Sequence, residues 1–352
     1  MKLFKNPLSF FCGDRDAKFD LLKLWALLSV ILDHSLQRWI VDCQKTQLYN
    51  FIFLSQMPIF MYVAGFFAFF QGDKIYRADV KRIVVMFLRR LMNLFIPFIS
   101  FAIIKSIIVQ DFSNIYLCFF YPQLSLWFIY SLMWMEILIM ASQVLSNLLI
   151  KNNEIVRELI PLVIYVVLLT PFIVIFLKKI ELFDSKLICY YSIYFIFGYF
   201  WHFLANRIRL EKKVVAYAIA FLTCLICLIS VMILRPNIIF DNETLINTLF
   251  RVVGSIACII LIYIICFCAT KLRAFRLASK IGRLSLEFYY VHLLVLLIPL
   301  FVSKVDNYFT FIGLYLMVIV VSFLIIMVLK SNLITDFICF GKLSKNKRGR
   351  EI

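Results

Sequence analysis

The sequence predicts an all-α integral membrane protein of about ten transmembrane helices with both termini cytoplasmic, and three observations carry that prediction. First, 64% of the 352 residues are hydrophobic, only 16% are charged and the mean hydropathy is +0.95, which is far outside the soluble range. Second, apolar runs of about twenty residues, the length that crosses a ~30 Å hydrocarbon core, recur down the chain. Third, Lys and Arg are distributed unequally between alternate connecting segments, as expected where cytoplasmic loops collect positive charge. A soluble enzyme is excluded.

In chain order, residues 1–18 hold Lys2, Lys5, Arg15 and Lys18 but only a short apolar run around Leu8–Cys12. No cleavable signal peptide is read there, and the first spanning helix itself directs insertion. That span, 19–40, is apolar yet carries Lys23 and His34. A second span at 51–70 is followed by a basic cluster of Lys74, Arg77, Lys81, Arg82, Arg89 and Arg90, which runs into a third at 91–109. The fourth, 126–149, holds Trp127 and Glu136; the fifth is 159–177; the sixth, 187–204, ends near His202. Spans at 214–233 and 251–270 contain Cys224, Cys227, Cys258, Cys266 and Cys268, the ninth at 285–303 contains His292, and the tenth is 310–329. Residues 330–352 read as a basic cytoplasmic tail in contact with solvent or lipid headgroups.

With the N-terminus inside, the cytoplasmic segments hold 27 of the 37 Lys and Arg residues, the outer side holds 9, and Lys23 is the remaining one. The formal charge of +17 therefore reads as topology and not as nucleic-acid binding. Few Gly and Pro residues, 9 and 8, argue for continuous helices. The ten Cys residues sit mostly in apolar helices as small hydrophobes. Cys224 and Cys227 have C-x-x-C spacing, but no second pair or His cluster completes a metal site. Asn242-Glu243-Thr244 fits a glycosylation sequon that is frequent by chance. No linker or repeat divides the chain, so residues 1–352 read as a single integral-membrane domain.

Ionisable groups inside spans are the candidates for chemistry, because a buried charge in a bilayer is costly. At roughly 100° per residue, the eleven steps from Lys23 to His34 make about three turns, so the two share one face roughly 16 Å apart. His34 lies about 22 Å into its span, in the outer half of the core. It reads either as a proton acceptor or as a side chain that only satisfies a neighbouring helix. Lys23 reads either as a snorkelling anchor, paired with Asp20 at the helix start, or as a cation that holds an anionic ligand entering from the cytoplasm. Asp33 projects about 100° from His34 and needs another helix to reach it. Glu136 either orients the imidazole or stays protonated in a hydrogen bond. His292 packs between helices or assists, and His202 reads as an interfacial residue. Arg82, Arg89 and Arg90 serve topology, or clamp a phosphorylated donor at the membrane boundary.

Together these residues resemble membrane acyltransferase family 3, whose signature is an Arg or Lys in the first helix, ten residues, and a His. Here that is FDLLKLWALLSVILDH, with Lys23 and His34 in the matching places. Met57-Pro58-Ile59-Phe60-Met61 and Ala64-Gly65-Phe66-Phe67 resemble the family's MPLF and SGF elements. Lys81-Arg82 through Arg89-Arg90-Leu91, then Ile96-Pro97-Phe98, resemble its basic approach to the third helix, and Leu126-Trp127-Phe128 its LWF. Phe197-Gly198-Tyr199, Gly282-Arg283-Leu284-Ser285 and Tyr290-Val291-His292 resemble later GY and IYLIH elements. The likeness covers nearly the whole chain in order. It departs where Lys23 replaces the more frequent Arg, losing bidentate contacts, where Gln56 replaces a His, and where Ala64 replaces a Ser.

The resemblance implies acyl transfer, commonly of acetyl, from a cytoplasmic coenzyme A thioester to a carbohydrate hydroxyl in a bacterial cytoplasmic membrane. Acyl-CoA, acetyl-CoA above all, is then a substrate and no cofactor stays bound. The acceptor is an exported polysaccharide or its lipid-linked precursor. His34 acts as general base or accepts the acyl group first. Lys23 with Arg82, Arg89 and Arg90 positions the donor or stabilises developing charge, Trp127 offers a sugar-stacking or packing face, and Asp33, Glu136 and His292 support. Two other classes share the architecture: a glycan or lipid transporter, which would show paired repeats and interrupted helices, and a membrane glycan polymerase, which would carry a large outer loop.

Overall fold

The computed structural model describes residues 16–342 except 77, 123–125, 151–152, 181, 209–213, 236–243, 298–303 and 306. The sequon residues Asn242 and Glu243, Arg77 of the basic cluster, the run around Leu8–Cys12 and the basic stretch beyond Lys342 lie outside the described residues. The described residues form α-helices and short 3-10 turns, with no strand among them. In order they are α1 (Ala17–Trp39), α2 (Gln47–Tyr76), α3 (Val80–Val109), α4 (Ser113–Phe120), α5 (Trp127–Leu149), α6 (Glu154–Leu177) and α7 (Ser185–Ile208). There follow α8 (Val214–Leu234), α9 (Leu245–Ala269), α10 (Arg273–Ser279), a 3-10 turn (Lys280–Leu284), α11 (Ser285–Leu297), α12 (Tyr308–Ser331) and α13 (Leu333–Phe340).

Eight of these, α2, α3, α5, α6, α7, α8, α9 and α12, are long and apolar enough to cross a membrane. The other two expected spans correspond to α1 and α11. α1 has the length, at 23 residues, but holds Asp20, Lys23, Asp33 and Arg38. It accommodates Asp20 and Asp33 because it lies within the bundle, touching α2, α9, α10, α11, α12 and the 3-10 turn. Polar groups there meet protein and not lipid, which is the arrangement a membrane interior requires. α11 is described over 13 residues, up to Leu297. At the opposite extreme α8 exposes Val215, Ile219, Leu222, Ile226, Ile229 and Ile233, an apolar face suited to hydrocarbon.

The most extensive helix pair is α2 with α7, and its cause is two glycines. A Cβ on Gly65 would lie 1.9 Å from the carbonyl oxygen of Phe195, and one on Gly198 would lie 2.0 Å from that of Tyr62. Only glycine lets the two backbones approach this closely, and without a hydrophobic drive between lipid-embedded helices such packing is what holds them. His202 belongs to the same seam. It is 1% exposed, its ring stacks on Phe69 at 4.6 Å, and its Nδ1–H donates to the Phe66 carbonyl at 2.9 Å.

Four prolines, Pro58, Pro97, Pro161 and Pro171, lie inside continuous helices. The basic cluster is itself helical: α3 starts at Val80, eleven residues before the expected apolar span, and carries Lys81, Arg82, Arg89 and Arg90 on its first turns. The segment expected as a tail from residue 330 also differs. Lys330 and Ser331 end α12, and residues 333–340 form α13, which packs on α3. A buried charge cluster anchors it. Lys330 Nζ donates to Glu287 Oε1 at 3.0 Å and lies 3.7 Å from Asp336, while Lys342 donates to the same Glu287 oxygen. Both carboxylates are 1% exposed or less, so their two lysine partners are what makes the burial tolerable.

Candidate active site

The site is built on α1 and closed by α2, the 3-10 turn and α11. At one end of the α1 face, Lys23 Nζ lies 2.7 Å from Asp20 Oδ1. The other oxygen of Asp20 accepts from Arg283 Nε at 2.9 Å. Asp20 is 2% exposed, and its carboxylate is shared by the two cations. Gly282 makes this possible: a Cβ there would stand 1.9 Å from the Asp20 carbonyl oxygen. The 3-10 turn therefore lies directly on the α1 backbone and delivers Arg283 to its partner.

At the other end, the His34 ring lies 5.5 Å from that of His292 on α11, centroid to centroid, with 32° between planes. His292 is 0% exposed. Its Nδ1 lies 2.7 Å from the Phe288 carbonyl oxygen. A carbonyl only accepts, so in the neutral ring Nδ1 carries the proton and Nε2 presents a lone pair. That Nε2 is buried without a hydrogen-bond partner. Tyr289 meets His292 edge-on at 6.0 Å and Phe128 at 4.9 Å, so aromatic rings wall one side of the pair.

Asp33 does not turn to His34. Its Oδ2 accepts from Gln56 Nε2 at 2.9 Å and its Oδ1 from Gln37 Nε2 at 3.1 Å, and Gln37 also donates to the Tyr49 hydroxyl at 2.8 Å. Asp33 thus ties α1 to α2 beside the imidazole, and Gln56, the residue in place of a His, is its inter-helix partner. Glu136 is likewise placed elsewhere. One of its oxygens accepts from the Arg90 guanidinium, so α5 and α3 share a partly buried ion pair and the carboxylate is bonded to Arg90 and not to His34. The basic cluster therefore divides: Arg90 is engaged by Glu136, Arg82 lies 3.7 Å from Asp79 of its own helix end, and both Arg82 and Arg89 are exposed. Trp127 stacks on Tyr191 at 5.1 Å, which covers one face of the indole.

Arg283 and Asp20 are the principal site members that residue-by-residue reading underweights. The Gly282-Arg283 motif is visible in the sequence, but its partner lies 263 positions away. Compared with known families, residues 16–330 match the acyltransferase domain of membrane acyltransferase family 3. The chain belongs to that family. No curated protein and no solved structure matches it. The protein is a multi-pass membrane acyltransferase, and the matched residues take in α1 through Lys330, leaving α13 beyond them.

In this acyltransferase the two ends of the α1 face differ in kind. One is a lysine and an arginine on a shared carboxylate, whose N–H donors suit an anionic group. The other is a pair of imidazoles, one with a fixed tautomer and a free lone pair, which suits moving a proton.

Proposed function

We propose that this acyltransferase moves an acetyl group from acetyl-CoA to a hydroxyl of an exported polysaccharide or lipid-linked glycan precursor, in a bacterial cytoplasmic membrane with both termini inside. The observation that carries the reading is the unpartnered Nε2 of His292 beside His34. It sets a neutral imidazole with an unused acceptor 5.5 Å from the His34 ring, centroid to centroid, so a ring nitrogen of His34 can serve as the base without a charged neighbour on that side.

His34 draws the proton from the acceptor hydroxyl as the oxygen attacks the thioester carbonyl. The proton then resides on the His34 ring, with the neutral His292 ring 5.5 Å away. The tetrahedral intermediate collapses, the C–S bond breaks, and the proton passes from His34 to the departing thiolate. Lys23 and Arg283, held by Asp20, attract the anionic donor to the same face, and the exposed Arg82 and Arg89 raise its local concentration at the boundary. Trp127 offers the remaining face of its indole to the acceptor.

Mass spectrometry of surface polysaccharide from cells with and without the protein tests the reading. A mass difference of one acetyl group per modified sugar is expected, and an unchanged glycan would contradict it. Binding or turnover of labelled acetyl-CoA by the purified protein separates a transferase from a transporter.

A further inference from the structure

A second feature lies away from the α1 face. α2, α7, α8 and α9 line an open cleft whose walls are almost wholly apolar. Ala216 and Ala220, one turn apart on α8, form its concave wall, and Tyr62, Trp201, Tyr217 and Tyr263 form the rest with aliphatic residues. Three observations say what fits it. The walls are hydrocarbon and aromatic, so the body of the occupant is apolar. Trp201 brings an indole N–H that is buried without a hydrogen-bond partner, so the occupant carries an acceptor such as an ester carbonyl. Two cations stand beside the tyrosine walls: Lys18 Nζ lies 5.8 Å from the Tyr263 ring, and Lys271 Nζ lies 5.9 Å from Phe267, which stacks on Tyr217 at 5.4 Å. Lys18 also pairs with Asp16 at 3.4 Å.

We infer that the cleft is a binding site for one acyl chain of an anionic phospholipid, with its headgroup at Lys18 and Lys271 and its ester within reach of Trp201. The lipid joins α8, which otherwise exposes most of its surface, to α7 and α2. It is a structural ligand and does not depend on the proposed acceptor or donor.

The test is native mass spectrometry of the full-length protein purified in mild detergent, together with melting curves after adding phosphatidylglycerol or phosphatidylcholine. The wild type is expected to retain a phosphatidylglycerol-type lipid and to melt higher with phosphatidylglycerol than with phosphatidylcholine. Ala220→Trp fills the cleft and should lose both the retained lipid and that difference. Should Ala220→Trp fail to fold, Lys18→Gln with Lys271→Gln leaves the cleft intact and should weaken phosphatidylglycerol binding by about fivefold per lysine. Equal response to the two lipids in the wild type, retention unchanged in both variants, or a retained acyl-CoA in place of phospholipid would overturn the inference.

Discussion

Arg283 and Asp20 meet across 263 residues of chain, Nε to Oδ2 at 2.9 Å, and Lys23 shares the same carboxylate. The charge stripe on α1 is thus anchored by the turn that precedes the His292 helix. Both ends of the proposed reaction path depend on how that turn sits against α1.

Removing the shared carboxylate takes the same buried counter-charge from Lys23 and from Arg283. Asp20→Asn is expected to destabilise the protein by about 3–5 kcal/mol, the usual cost of breaking a buried pair. Thermal unfolding in detergent reads the loss. Lys23→Arg retains the charge and is expected to keep acylation, whereas Lys23→Met should raise the donor KM more than it lowers kcat.

Gly282→Ala would place a methyl 1.9 Å from the Asp20 carbonyl oxygen, with backbone on both sides of the clash. The turn must move away, and a cost of about 1–3 kcal/mol follows from overpacking alone. Arg283 would be displaced with it, so activity should fall even at temperatures where the variant remains folded.

The Arg90–Glu136 pair predicts a particular double-mutant pattern. Glu136 is 2% exposed, and Glu136→Leu alone leaves the guanidinium of Arg90 without its partner. Adding Arg90→Leu should recover much of the stability that Glu136→Leu loses, because two apolar side chains replace the pair. Additive losses in the double variant would contradict the pairing.

Asp184, in the turn before α7, supplies a pH dependence. Burial pushes its carboxyl up to about 8, and the Ser131 hydroxyl at 3.3 Å and the nearby Lys186 only partly oppose this. The folded state therefore holds the proton more tightly than the unfolded chain does. Its contribution to stability is complete below about pH 4 and is lost as pH rises through about 8. Asp184→Asn should flatten that slope in melting temperatures measured from pH 5 to pH 9, and an unchanged slope would show that another group sets it.

Much of the fold was legible in local composition. The expected spans 2 to 8 and the tenth correspond to helices long and apolar enough to cross a membrane. The short helices α4, α10 and α13 were not legible, because seven or eight residues give no membrane-length run. α13 was hidden by Lys330 and Lys342, whose charges suggest a solvated tail until Glu287 and Asp336 are brought beside them. In the site, the shared face of Lys23 and His34 followed from helical periodicity alone. The pairing of Asp20 with Lys23 was equally local. By contrast, Asp33 with Gln56, Glu136 with Arg90 and Asp20 with Arg283 are contacts between helices, and residue type and depth do not specify a partner on another helix. The family motifs mark several of these positions, yet their physical reasons differ: Gly65 and Gly198 serve close packing, whereas Arg283 serves charge.

The proposed reaction turns on His34 taking the proton from the acceptor hydroxyl. The most direct measurement is acylation of surface glycan by cells carrying the wild type or His34→Ala at matched protein levels. A fall of about 10²–10⁴-fold is expected in the variant, the usual worth of a general base. Full acylation by the His34→Ala variant would contradict it.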